Sequence, residues 1–206
     1  MTVETWKLDG SGSDIRFSAR HVVLAKISGR FARWRGSIQV DGPEIDFASL
    51  ELTVDPASID TGLARRDLYL RSFHFFNVAR YPSLRFVARR VERSGSEPMR
   101  IVGGMTIRGG TREVVLDVAD CVRSTSPDGT DHASFTLKAS VDRRDFGLTW
   151  SGVFDARAAL LSYHVDIDVE VDAARMAASG QATDDAGRAS AERRGAHAHP
   201  GRRSSP

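Results

Sequence analysis

The chain has 206 residues, 41% of them hydrophobic and 27% charged, which is enough for one core of ordinary size and excludes wholesale disorder. No apolar run nears the ~18 to 20 residues that cross a bilayer, and the start Met1-Thr2-Val3-Glu4-Thr5-Trp6-Lys7 has neither a basic beginning nor an apolar stretch behind it. The expectation is a cytoplasmic protein without an export signal. The single cysteine, Cys121, excludes an internal disulfide framework and a cysteine-based zinc cluster.

Period-two alternation starts at Ile15, where Ile15, Phe17, Ala19 and His21 alternate with Arg16, Ser18 and Arg20, the mark of a strand with one buried face. A less regular stretch from Ile27 to Val40 predicts a second strand, and Leu50, Leu52 and Val54 predict a third. A different kind of segment follows. Leu63, Leu68 and Leu70 are spaced as in a helix over Leu63 to Ser72, with Asp60 or Thr61 as N-cap. Phe73, Phe75 and Phe76 then crowd together, with Tyr81-Pro82 close behind. A connection this long and this aromatic predicts a lid or plug over one end of the sheet.

Five more alternating runs complete eight strands: Leu84 to Ala88, Met99 to Ile107, Val114 to Val118, Phe135 to Val141 and Val165 to Val171. Turn residues separate them at Asp41-Gly42-Pro43, Ser94-Gly95, Gly109-Gly110 and Pro127-Asp128-Gly129. An Ala-rich segment, Asp155 to Leu161, predicts one or two helical turns. Connections this short favour antiparallel hairpins, so the body is all-β, either a sheet closed on itself or a two-sheet sandwich.

From Ala173 to Pro206 the chain has no Leu, Ile, Val or aromatic residue, and its six arginines face three acids. That stretch is therefore +3, and since the whole chain is +2 the body from Met1 to Asp172 is −1. The expectation is a folded domain over 1–172 and a disordered Ala/Gly/Ser/Arg-rich tail over 173–206. A near-neutral body argues against nucleic acid as a partner.

The inward set from the alternation is Phe17, Leu52, Phe86, Met105, Leu116, Phe135, Leu137 and Ile167, joined by Phe31, Trp34, Phe75 and Phe76 from less regular segments. Alternation does not say whether they line a cavity or fill a core, although the small inward residues Ala19, Ala88, Gly103 and Ala139 favour space. Polar donors are available in Arg20, His21, Arg65, Arg66 and Arg71, a guanidinium fork being suited to phosphate. Asp142-Arg143-Arg144-Asp145-Phe146-Gly147 contains the letters of a kinase magnesium loop without the context such a loop needs. It reads as a strand end with a local Asp–Arg pair. No nucleophile elbow, P-loop, dinucleotide fingerprint or His-Glu-x-x-His is present, so no catalytic residue, metal ligand or cofactor is expected.

In order, Ile15-x-Phe17-x-x-x-His21, Gly29-x-Phe31, Ser58-Ile59-Asp60-Thr61, Arg66-Asp67-x-x-Leu70-Arg71-Ser72, Phe75-Phe76, Tyr81-Pro82-x-x-x-Phe86, Gly104-x-Thr106-Ile107-x-Gly109 and Asp142-Arg143-x-x-Phe146-Gly147 resemble the YceI-like family from about Trp6 to Val171. The resemblance implies an eight-stranded antiparallel, lipocalin-like barrel, commonly a homodimer, that binds a polyisoprenoid or other amphipathic lipid in an apolar cavity. On that basis the twelve inward apolar residues, with His21 and Arg66 toward the head group, are the expected ligand-binding set. The implied role is carriage, storage or sequestration, without enzymatic activity. The alternative is an isomerase or cyclase acting on such a lipid with His21 or His74 as acid–base. Two positions depart from the family pattern: Tyr69 stands where a histidine is usual before Leu-Arg-Ser, and His74 where an acid is usual before Phe-Phe.

Overall fold

A computed structural model describes residues 3–9, 15–21, 26–41, 46–93, 99–149 and 161–175. The strands are β1 (Val3–Asp9), β2 (Ile15–His21), β3 (Ile27–Phe31), β4 (Trp34–Asp41), β5 (Asp46–Val54), β6 (Ile59–Asp60), β7 (Leu84–Glu92), β8 (Arg100–Ile107), β9 (Gly110–Thr125), β10 (Asp131–Asp142) and β11 (Leu161–Arg175). One helix, α1 (Ala64–Arg71), lies between β6 and β7, and two 3-10 turns cover Pro56–Ser58 and Arg143–Phe146.

The pairings run β1-β4-β5-β7-β8-β9-β10-β11 and close by β11 returning to β1. This is an eight-stranded antiparallel barrel, closed so that no long edge is left open. The remaining strands extend three of its staves. β2 pairs with β11 alongside Val165–Val169, β3 pairs with β2, and β6 pairs with β3. The first three staves are therefore each in two pieces, β1 with β2, β4 with β3, and β5 with β6. Alternation counted eight strands because it saw one piece of the first stave and joined both pieces of the second. β1 escaped notice because its inward side rests on only two apolar residues, Trp6 and Leu8, which are 3% and 0% exposed.

The irregularity between Ile27 and Val40 is a corner at Ala32-Arg33. Ser58 accepts from Ala32 N through its carbonyl and from Arg33 N through its hydroxyl, and Asp55 N donates to Arg33 O. Asp55 also takes the Arg33 guanidinium on its carboxylate. The same side chain accepts from Ala57 N and so caps the 3-10 turn that leads into β6. β9 continues past Val118, where the alternation lapses, because Asp120 adopts φ 54° and the register against β10 shifts between Ser134 and Thr136. A bulge there changes which face each later residue takes, and Val122 ends up outside, 61% exposed.

α1 agrees with the expected helix in extent but not in its cap. Leu63 is the N-cap and makes no side-chain cap bond. Asp60 is turned to Gly62 N, and Thr61 gives both its N–H and its hydroxyl to Asp67 Oδ1. The first-turn acid of the helix reaches back instead of a capping residue reaching forward. The predicted turns at Asp155–Leu161 lie outside the described residues except for Leu161, which begins β11. Among the described residues, no helix is long and apolar enough to cross a membrane.

At one end the interior is full. Leu8, Leu50, Ile101 and Leu137 are 0% exposed, with Trp6, Ile38, Val171 and Ala173 packed in the same core. Gly103 serves that packing rather than leaving space, since a Cβ there would lie 2.5 Å from the Phe86 ring and from Val87 O. The strand β11 runs three residues beyond Asp172, where composition placed the start of the tail, because Ala173, Ala174 and Arg175 pair with Leu8, Lys7 and Trp6 to close the barrel. Residues 176–206 lie outside the described part. A chain ending at Asp172 should therefore melt several degrees below one ending at Met176, by about 4 °C for each 1 kcal/mol lost in a domain this size. Equal melting temperatures in parallel thermal denaturations would show that the β1–β11 closure contributes nothing.

Candidate functional site

The other end of the barrel is hollow. A cavity offering about 180 Å³ to the centre of a water molecule opens among β2, β3, β6, the lid and the start of β7. At ~10 to 15 Å³ per water on that measure, the space holds roughly a dozen waters or an equivalent apolar group. Ile15, Phe17 and Ala19 come from β2, Ile27 and Phe31 from β3, and Ile59 from β6. β5 and β7 to β9 add Leu52, Val54, Leu84, Phe86, Met105, Ile107 and Leu116, while β11 adds Val165, Ile167 and Val169.

The lid closes this end with Leu70, Phe75 and Phe76. Hydrogen bonds within the lid fix its path: Phe76 N donates to Leu70 O, Val78 N to Arg71 O and Asn77 N to Ser72 O. A chain of rings, two edge-on contacts and one tilted, then joins it to the wall. Phe75 meets Phe76 at 5.0 Å between centroids, Phe76 meets Phe31 at 5.9 Å, and Phe31 meets Phe17 at 5.2 Å. Aromatic pairs of this geometry are each worth about 0.5 to 1.5 kcal/mol beyond the area they bury.

The polar groups on the wall are Thr61, Ser162, Arg66, Arg85 and Arg143. Arg66 donates through Nε to Thr61 Oγ1 at 2.7 Å and through Nη2 to Thr61 O at 2.6 Å. Arg143 is 8% exposed and donates to Leu148 O at 2.6 Å and Ser162 O at 3.3 Å, with its guanidinium 5.1 Å from the Tyr163 ring centroid. Burial pushes the Arg143 guanidinium below its ordinary value, against the opposing pull of Tyr163 and Asp142. Each of these two arginines donates two hydrogen bonds to neutral oxygens. Among the described residues, the wall carries no carboxylate and no histidine, and no three His, Cys, Asp or Glu side chains gather as a metal would need.

Of the expected set, Phe17, Phe31, Leu52, Arg66, Phe75, Phe76, Phe86, Met105, Leu116 and Ile167 lie on the cavity wall. Trp34, Phe135 and Leu137 do not; they are buried in the packed core, 8%, 4% and 0% exposed. The alternation placed Phe135 and Leu137 inward, and the less regular stretch gave Trp34, but neither signal carries information on height along the barrel. His21 ends β2 opposite Leu161, and its side chain lies outside the described residues. Of the four small inward residues, Ala19 alone is on the wall. Arg143 and Phe146 were missed. Their segment does hold the local pair Asp142–Arg144 and a bend at Gly147, φ 67°, yet Arg143 and Phe146 turn into the cavity from the 3-10 turn between them.

Asp142 caps that turn by accepting from Arg144 N, and it binds the Arg144 guanidinium at 2.5 Å. The Arg144 side chain, then its N–H, lowers the Asp142 pKa to about 2. With the folded value below the unfolded one of ~3.9, the carboxylate stabilises the fold fully above that value and stops doing so as pH falls through about 2. Asp142→Asn keeps the cap acceptor and removes the charge. The stability gap between wild type and Asp142→Asn, read by urea denaturation at stepped pH, should be widest near neutrality and close on acidification through this window. A gap that ignores pH would assign Asp142 a purely steric role.

Residues 6–173 match the YceI-like domain. A UPF0312 protein of Shewanella denitrificans is 27% identical over 161 residues, 78% of this chain and 82% of that protein. Protein YceI of Salmonella newport is 29% identical over 146 residues, 70% of this chain and 76% of its own. Among solved structures, the Campylobacter jejuni YceI protein superposes with a TM-score of 0.66 at 25% identity, covering 76% of this chain and 90% of that one. A polyisoprenoid binding domain from Saccharophagus degradans, implicated in plant cell wall breakdown, shares the fold with a TM-score of 0.60 at 17% identity, over 83% and 98% of the two chains. The match runs from Trp6 in β1 to Ala173, the first of the three β11 residues that close the barrel, and the chain belongs to the YceI-like family.

Proposed function

We propose that this protein binds the tail of an isoprenoid or similar amphipathic lipid in the hollow end of the barrel and shields it from water, as a carrier or store. The observation that carries the reading is the cavity itself: aliphatic and aromatic on nearly every side, closed below by a packed core and above by an aromatic lid. Each buried methylene contributes about 0.8 kcal/mol, so an apolar tail binds there with little specific chemistry. The similarity to a domain described as polyisoprenoid binding supports the same choice of ligand.

The space accommodates a few five-carbon units at a time, so a long tail requires the lid to shift. Arg66 and Arg143 set the head-group end. Their partners are carbonyls and a hydroxyl, which leaves the positive charge for a ligand to neutralise, as a diphosphate does and a quinone oxygen does in part. An acid–base reaction on the lipid finds less support, because no two titratable groups able to exchange a proton near neutrality face each other on the described wall.

Native mass spectrometry of protein purified without detergent, followed by organic extraction, tests this directly. One amphiphile per barrel is expected, and a chain that emerges empty and ignores added prenols would overturn the proposal. Ala19→Phe, which fills the hollow end, should weaken prenol binding about tenfold or more with the barrel still folded by circular dichroism. Arg143→Met should weaken a prenyl diphosphate more than the corresponding prenol; equal losses would remove Arg143 from the head-group site.

A further inference from the structure

The lid has a second face. Its inner side chains, Leu70, Phe75 and Phe76, are buried against the cavity, but Leu68, Phe73 and Leu63 stand in solvent, 70%, 68% and 54% exposed. On α1, positions 64, 65 and 68 share one side at about 100° per residue, and all three are exposed, with Leu68 at the centre of that side. Isolated exposed apolar residues are ordinary. Three within one short lid, over the opening of an apolar cavity, are not.

The charge around them has one sign. From Thr61 to Ser83 the chain carries Arg65, Arg66, Arg71 and Arg80 against a single acid, Asp67. Asp67 is buried with its carboxylate bound by Thr61. Arg65 and Arg80 are exposed, and neither forms an ion pair among the described residues. The outer face of the lid is therefore apolar at its tips and positive around them.

We propose that this face docks on an anionic lipid bilayer, with Leu63, Leu68 and Phe73 entering the interface and Arg65 and Arg80 meeting lipid phosphates. The contact itself follows from the lid, and its purpose, delivering amphiphile to the cavity behind it, rests on the lipid-binding reading above. A second copy of the chain fits this face less well. A twofold contact would set this positive face against an identical positive face, and three side chains fall far short of the ~800 Å² per partner of a stable interface. A bilayer requires only a few apolar side chains at the acyl boundary together with basic groups at the headgroups.

Flotation of the full chain with vesicles tests the docking. The chain should float with phosphatidylglycerol–phosphatidylcholine vesicles and partition about tenfold or more less onto phosphatidylcholine alone. The double variant Leu68→Gln, Phe73→Gln should lose about tenfold or more of the anionic partition at an unchanged melting temperature, while Arg65→Gln flattens the salt dependence. A wild-type chain that stays in solution overturns the proposal. So does a double variant that floats like wild type, which moves the attraction to the basic residues after Arg175, or one whose loss of flotation follows the splitting of a dimer in sedimentation velocity. Uptake of a free prenol, measured in parallel, separates the two readings. Flotation lost with uptake intact in the double variant supports docking through this face, and flotation without uptake in the wild type supports docking while removing the cavity reading.

Discussion

Closure of the barrel rests on one strand with two neighbours on the same edge. β11 pairs with β2 alongside Val165–Val169 and with β1 at Ala173–Arg175. Because β1 and β2 share that edge at different heights, the staves beside them are divided as well, at Ala32-Arg33 and around Pro56–Ser58. These breaks coincide with the change from a full interior to an empty one. The first two staves give the cavity Ile15, Phe17, Ala19, Ile27 and Phe31, all from β2 and β3, and β1 and β4 give it none. The lower pieces carry the bulk instead, in Trp6, Leu8, Trp34 and Ile38. A continuous stave would have to serve both purposes with one pleat; a divided one lets the packed end supply stability while the other end remains open.

The same division governs the charges. On the outer wall, arginines meet acids across the sheet: Arg16 with Glu170 and Arg100 with Asp117 on neighbouring strands, and Arg90 with Glu113 across β8. These groups are about half exposed, so solvent screens such pairs and they serve solubility and register more than stability. On the inner wall Arg66 and Arg143 meet carbonyls and a hydroxyl, while Arg85 reaches the Glu51 carboxylate. A guanidinium held by neutral acceptors keeps its geometry without losing its charge, and the low polarity around Arg143 makes that charge felt at longer range than the same group on the surface.

What could be read from the residues alone follows the reach of the signal. Alternation is a local property, so the strands from Leu50 onward, the eight-fold count and the inward set were all legible. The lid was legible because Phe73, Phe75 and Phe76 are too many aromatics for a simple connection. Height along the barrel was not, because Phe135 and Leu137 obey the same period as Leu116 and Ile167 while register alone decides which of them reach the hollow end. Arg143 was hidden for a different reason. Its neighbours Asp142 and Arg144 form a sufficient local pair, and nothing in that pair reveals that the residue between them is aimed inward by a 3-10 turn.

Tyr69 and His74, expected from the sequence to depart from the family pattern, come together in the lid. They stack on each other, with centroids 6.0 Å apart and planes within 7°, a buried phenol ring against an exposed imidazole. Tyr69 also lies 6.4 Å from Phe75, which joins the stack to the chain of rings running through Phe76 and Phe31 to the barrel wall. An ion pair near the surface weakens as salt is added, whereas ring packing does not. Ring contacts thus fasten this lid from its outer edge to the cavity wall, beside the hydrogen bonds that tie Arg66 and Asp67 to Thr61 and Arg71 to Ile59 O. A ligand tail that displaces one ring meets the same kind of surface that the ring left, so exchanging protein contact for lipid contact requires no charge to be uncovered along the way.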